Sequence, residues 1–98
     1  MVKVTGVHKR ADASIQWYTR SQEHRNLEEY MAAEGKLLSH NSILVDEFTQ
    51  QNTAIFLDRE SYEYWENHPD RIESSRLRKI YNEENGIIST QTIEDVSL

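Results

Sequence analysis

Four histidines, His8, His24, His40 and His68, are the side chains best suited to moving a proton near neutral pH. They lie in four separate segments, with no His-x-x-x-His or His-Glu-x-x-His spacing to gather them on one helix face, so no metal site is expected. His68, directly before Pro69, is the one placed to act as a pocket base; the plainer role is to end a helical turn. His24 falls in the first turn of an expected helix, where a surface position is the plain reading and a pocket contribution the alternative. Tyr30, Tyr62 and Trp65 can line an aromatic pocket between helices and sheet, against the simpler alternative of core packing. Tyr30, Trp65 and His68 are therefore the ligand-pocket candidates.

The remaining chemistry is sparse. There is no cysteine, hence no thiol nucleophile, disulfide or thiolate metal ligand. A glycine-rich phosphate loop, a Gly-x-Ser-x-Gly elbow and a paired-carboxylate motif are all missing, and neither a catalytic residue nor a cofactor is assigned. The acidic run Asp58, Glu60, Glu63, Glu66, Asp70 and Glu73 precedes Arg76, Arg78 and Lys79. A solvated face that suits the helix macrodipole explains it; steering of an acidic partner by the three cations is the alternative. A net charge of −6 repels phosphate backbones and disfavours nucleic acid as a partner. The apolar runs are far too short to span a bilayer, and Met1–Gly6 lacks a secretory apolar stretch, so a cytoplasmic location is the simplest expectation.

These side chains need a scaffold, and 98 residues without an internal repeat or a linker give a single domain over 1–98. Val2 to Lys9 reads as a first strand, and Ala11 to Arg20 as an extended connection laying Ile15 and Trp17 onto the domain. A helix from Gln22 to Glu34 is capped by Ser21 and closed by Gly35, with Leu27, Tyr30 and Met31 on one stripe. Two strands, Ser42 to Thr49 and Thr53 to Asp58, are expected around a Gln50-Gln51-Asn52 connection. This register gathers Ile43, Val45, Ile55 and Leu57 on one face and Leu44, Phe48, Ala54 and Phe56 on the other.

Asp58 caps a second helix that Pro69 kinks and restarts, its apolar stripe running through Tyr62, Trp65, Ile72 and Ile80 to Tyr81. Asn85-Gly86 ends it, and Ile87 to Glu94 is the last strand. The order β-α-β-β-α-β with right-handed crossovers predicts an α+β, ferredoxin-like domain: a four-stranded antiparallel sheet with two helices on one face. The other face lies open, and Leu44, Phe48, Ala54 and Phe56 are the candidates for a homodimer interface there.

The stretch from Ala54 to Pro69 (Ala-Ile-Phe-Leu-Asp-Arg-Glu-Ser-Tyr-Glu-Tyr-Trp-Glu-Asn-His-Pro) resembles the strand-to-helix passage of dimeric α+β barrel proteins, including the antibiotic-biosynthesis-monooxygenase-like group. The resemblance implies ferredoxin-like protomers whose sheets pair face to face. It admits cofactor-independent monooxygenases, decarboxylase- or isomerase-like members and haem-degrading enzymes. Haem-degrading members carry an iron-ligating histidine on the second helix at the position Ser75 occupies here, so a haem site is not implied. A slighter likeness, through Val4–Ile15 and Glu34-Gly35-Lys36, is to uncharacterised small proteins of marine phages and metagenomes. The combined expectation is a ferredoxin-like homodimeric binding or accessory protein without assignable catalytic chemistry. The alternative is a cofactor-independent monooxygenase-like or isomerase-like enzyme acting on a small apolar ligand in the helix-sheet cleft.

Overall fold

In the computed structural model, which describes residues 1–97, seven elements follow one another. They are β1 (Val2–Lys9), α1 (Gln22–Ala33), β2 (Leu37–Asp46), β3 (Thr49–Phe56), α2 (Arg59–Glu66), α3 (Pro69–Asn85) and β4 (Ile88–Asp95). The sheet is antiparallel throughout, in the order β2-β3-β1-β4. β1 and β3 are central because β3 folds back from β2 as a hairpin into the place beside β1, and β4 returns across α2 and α3 to the other edge of β1. This is the expected ferredoxin-like α+β arrangement.

Local signals set the helix boundaries. Ser21 caps α1 by accepting the His24 amide, and Gly35, at φ 74°, turns the chain out of it. Asp58 caps α2 by accepting the Ser61 amide at 2.8 Å. Pro69 occupies the first turn of α3, where a missing amide hydrogen costs nothing, so the expected kink is a full break into two helices. His68 is the cap of α3: its Nδ1 accepts the Asp70 amide at 3.1 Å. Gly86, at φ 68°, ends that helix.

Side chains directly opposite one another on paired strands share a face. Val2 pairs with Phe56, which pairs with Leu37, and all three are buried beneath the helices. Leu27 and Met31 of α1 and Tyr62 and Trp65 of α2 complete that core, with Phe56 wholly enclosed at 0% exposure. The ring centroids of Phe56 and Trp65 lie 5.0 Å apart.

Several expectations are corrected here. The β2–β3 turn lies at Glu47-Phe48, held by Asp46 Oδ1 accepting the Phe48 amide at 2.8 Å, and not at Gln50–Asn52. β2 thus starts at Leu37, with register shifts between Leu37 and Ser39 and between Leu44 and Asp46. Ala54 and Phe56 face the helices and not the open side of the sheet, whereas Leu44 and Phe48 are exposed. Tyr30 points outward at 51% exposure, so the buried stripe of α1 is His24, Leu27, Glu28 and Met31. On α3, Ile72 and Ile80 are exposed, and Ser74 and Asn82 are the buried positions.

Candidate functional site

The inward side of α3 is polar. Arg71, Ser74, Arg78 and Asn82 recur at i, i+3, i+7 and i+11, which stacks them on one helical face. That face meets the sheet at Asn82, which bonds Ser89 of β4, and otherwise borders open space. Between it, α1 and the sheet lies a cleft of about 650 Å³, and all four side chains line it. The floor is built by residues of β1, β3 and β4, including Val4, Gly6, His8, Ala54 and Ser89; Trp65 and Ile87 add apolar wall. Of the connection from Arg10 to Ser21, Arg20 reaches the cleft. Arg10 donates to the carbonyls of Glu47 at 2.8 Å and Ile15 at 2.7 Å, and its guanidinium lies 4.4 Å from the Trp17 ring centroid.

One end of the cleft carries a buried ion network. Glu28, on the inward side of α1, receives a hydrogen bond from Arg20 and has its other oxygen 3.4 Å from His24 Nε2. Burial pushes the Glu28 carboxyl up, but the close approach of His24 and the charges of Arg20, His24 and His40 outweigh it, leaving the pKa below the ordinary carboxylate value. His24 also packs its ring 6.1 Å from that of Trp65. It is a buried wall residue, which corrects the surface position expected for it.

On the floor, His8 Nδ1 lies 2.5 Å from Ser89 Oγ, and Asn82 Nδ2 donates to the same oxygen at 2.8 Å. Burial first, then the nearby Arg78 cation, lower the His8 pKa to about 4, so the imidazole is neutral at pH 7. His8 Nε2, both ring nitrogens of His24 and Trp65 Nε1 are buried without a protein hydrogen-bond partner. Buried nitrogens are normally paired, so four orphans around one cleft mark a place where the polar surroundings are incomplete.

Of the pocket candidates, Trp65 stands on the cleft wall. Tyr30 is on the outer side of α1, and His68 caps α3 with its ring 5.7 Å from Tyr64; neither lines the cleft. The sequence reading gave no pocket role to Glu28, Arg71, Ser74 or Asn82, named His8 only as one of four scattered histidines, and named Arg78 only with Arg76 and Lys79 as a cation that could steer an acidic partner. The signal was present in the polar i, i+3, i+7, i+11 series of α3, but Ile72 and Ile80 offered a competing apolar stripe.

No protein-family model matches the chain, and no curated protein matches it. Solved structures do. A mutant of SnoaB, a cofactor-independent oxygenase from Streptomyces nogalater, superposes with a TM-score of 0.64 at 8% identity, covering 99% of this chain and 93% of that one. An antibiotic-biosynthesis-monooxygenase-like protein from Deinococcus radiodurans gives 0.60 at 13% identity over 100% and 94% of the two chains. An antibiotic biosynthesis monooxygenase gives 0.56 at 15% identity over the whole of both chains. The likeness is one of fold. At these identities it carries the scaffold across and leaves the chemistry to this chain's own residues.

Proposed function

We propose that the chain is a small-molecule enzyme of the cofactor-independent oxygenase kind, with the helix-sheet cleft as its active site. The observation that carries this reading is the cleft itself. In a 98-residue domain the inner face of α3 holds polar groups over a space of about 650 Å³, while Ile72 and Ile80 stand outside. A helix turned this way gives up core burial, which a purely structural module has no reason to do. The volume suits a small organic ligand.

Such a site can oxidise an acidic methylene with dioxygen directly. A substrate whose acidic methylene is conjugated to a phenol or carbonyl loses a proton to a base, and the delocalised carbanion passes one electron to dioxygen. The resulting radical pair combines and is protonated to a hydroperoxide, which loses water. In balance, one methylene and one dioxygen become one carbonyl and one water: the carbon is oxidised, dioxygen is reduced, and the base recovers its starting state. His8 is the group we place as base, since it lines the cleft floor with Nε2 unpartnered and is oriented through Ser89 and Asn82. The cations along the cleft would stabilise the substrate anion.

We also propose that two copies pair through the open side of the sheet, where Val7, Ile43, Ile55 and Ile88 share a face. Ile88 is 70% exposed in the lone protomer.

The test is oxygen uptake with 1,8-dihydroxyanthrone, a probe with an acidic methylene whose ketone product is coloured. Turnover at least tenfold above the spontaneous rate, lost in His8→Gln, is the expected result. A rate equal to the protein-free control would remove the oxygenase reading.

A further inference from the structure

We propose that Arg71 and Arg78 form an oxyanion subsite in the cleft, receiving the carboxylate, or an equivalent oxyanion, of a flat aromatic ligand. This rests on reading the cleft as a small-molecule site, and it names the class of molecule that site accepts.

Charge is concentrated in the cleft against the trend of the whole chain. The net charge is −6, yet the cleft is lined by Arg20, Arg71, Arg78 and Lys79 against Glu28 and Glu83. Glu28 is committed to Arg20, and Lys79 and Glu83 stand one helical turn apart with opposite signs. Arg71 and Arg78 are left over. Among the described residues neither forms an ion pair with a carboxylate.

Both of these guanidinium groups lie over aromatic rings: Arg71 is 4.5 Å from the Trp65 centroid and Arg78 is 5.2 Å from that of Tyr18. Ring contact restrains a guanidinium while leaving its N–H donors free to take a carboxylate in a two-point grip. Arg78 lies seven positions after Arg71, two turns along one face, with Ser74 between them.

An anion would also meet an unsatisfied cation there. Burial, together with the charges of Arg20 and Arg71, outweighs the favourable influence of Tyr18 and Glu28 and lowers the pKa of Arg78 from its ordinary value, so its surroundings on balance disfavour the cation. A half-buried charge beside two like charges is retained against stability, as binding sites commonly are. An incoming oxyanion relieves both the desolvation and the repulsion. The small exposed parts of Trp65 and Ile87, together with Ala54, border the cleft and are the apolar surface that a flat ring would meet.

The experiment compares 2-naphthoate with 2-naphthamide, which has a similar shape and no charge, by equilibrium dialysis against the full chain. Naphthoate should bind at least tenfold more tightly than the amide. Arg71→Gln and Arg78→Gln should each weaken naphthoate at least fivefold while moving the amide less than twofold, with circular dichroism confirming a folded chain. Arg71→Lys and Arg78→Lys, which keep the charge, should recover part of the loss. Equal binding of the two probes, binding of neither, or naphthoate affinity indifferent to both glutamine variants would overturn the subsite. Charge discrimination without anthrone oxidation would sink the oxygenase reading and leave the subsite standing; oxidation without discrimination would do the reverse.

Discussion

Ser89 Oγ lies 2.5 Å from His8 Nδ1 and also accepts from Asn82 Nδ2, so one hydroxyl ties β1, β4 and α3 together at the cleft floor. The groups around the imidazole include Gly6 on its own strand and Arg78, whose charge acts on it from α3. With its pKa lowered from 6.5 to about 4, His8 takes up a proton in the unfolded chain that the folded chain resists. Its contribution is complete above pH 6.5, declines as pH falls through the window, and is gone below about 4. The loss should be on the order of 3 kcal/mol. Urea melts at neutral pH and across this window should show it, and His8→Gln should flatten that part of the pH profile. An unchanged decline in the variant would place the proton elsewhere.

Glu28 meets Arg20 and His24 inside the protein, and its carboxylate is more acidic than usual because those partners outweigh its burial. Glu28→Gln keeps the shape and deletes the charge, leaving Arg20 without its carboxylate beside Arg78. Destabilisation of about 2 kcal/mol is expected, less than for a fully enclosed pair because Arg20 is partly solvated. Chemical denaturation measures it. A variant as stable as the parent would mean that the network contributes nothing net.

The two sides of the hairpin predict opposite failures. Phe56 is enclosed by Val2, Leu37 and the α2 aromatics, so Phe56→Asp should unfold the chain, with Phe56→Ala costing about 3 to 5 kcal/mol. Ile43 and Ile55 share the uncovered side, so the double variant Ile43→Asp, Ile55→Asp should stay folded and sediment as a monomer. Sedimentation equilibrium with circular dichroism separates these outcomes. A parent that is already monomeric at micromolar concentration would reject the pairing.

Caps were legible because each is a local event. Ser21, Asp58, Pro69 and Gly86 declare their positions through one hydrogen bond or one φ angle, and each stands where its residue type requires. The hairpin was only half legible. Alternation correctly separated Ile43 and Ile55 from Ala54 and Phe56, because that follows from the period of two, but it cannot say which set the helices cover. Asp46 decided the turn through its side chain, and the bulges at either end of β2 shifted register in ways no pattern announces. The cleft was least legible. On α3 a polar and an apolar stripe coexist, and the usual assumption that the apolar one faces inward fails where the inside is an open cleft.

Arg78 provides the last test, because binding and stability should move in opposite directions there. Replacing it with Gln removes repulsion from Arg20 and Arg71 and the cost of holding a cation in a half-buried place. It also forfeits the contact with the Tyr18 ring, worth about 0.5 to 1 kcal/mol. The first effects should win, giving a net gain of about 1 kcal/mol and a rise in Tm of several degrees in the ligand-free protein. Adding 2-naphthoate should then raise Tm in the parent far more than in Arg78→Gln, since stabilisation by a ligand follows its affinity. A lower ligand-free Tm in the variant would mean that Arg78 is a structural cation, stabilised by Tyr18 and its surroundings and not held in reserve for an anion.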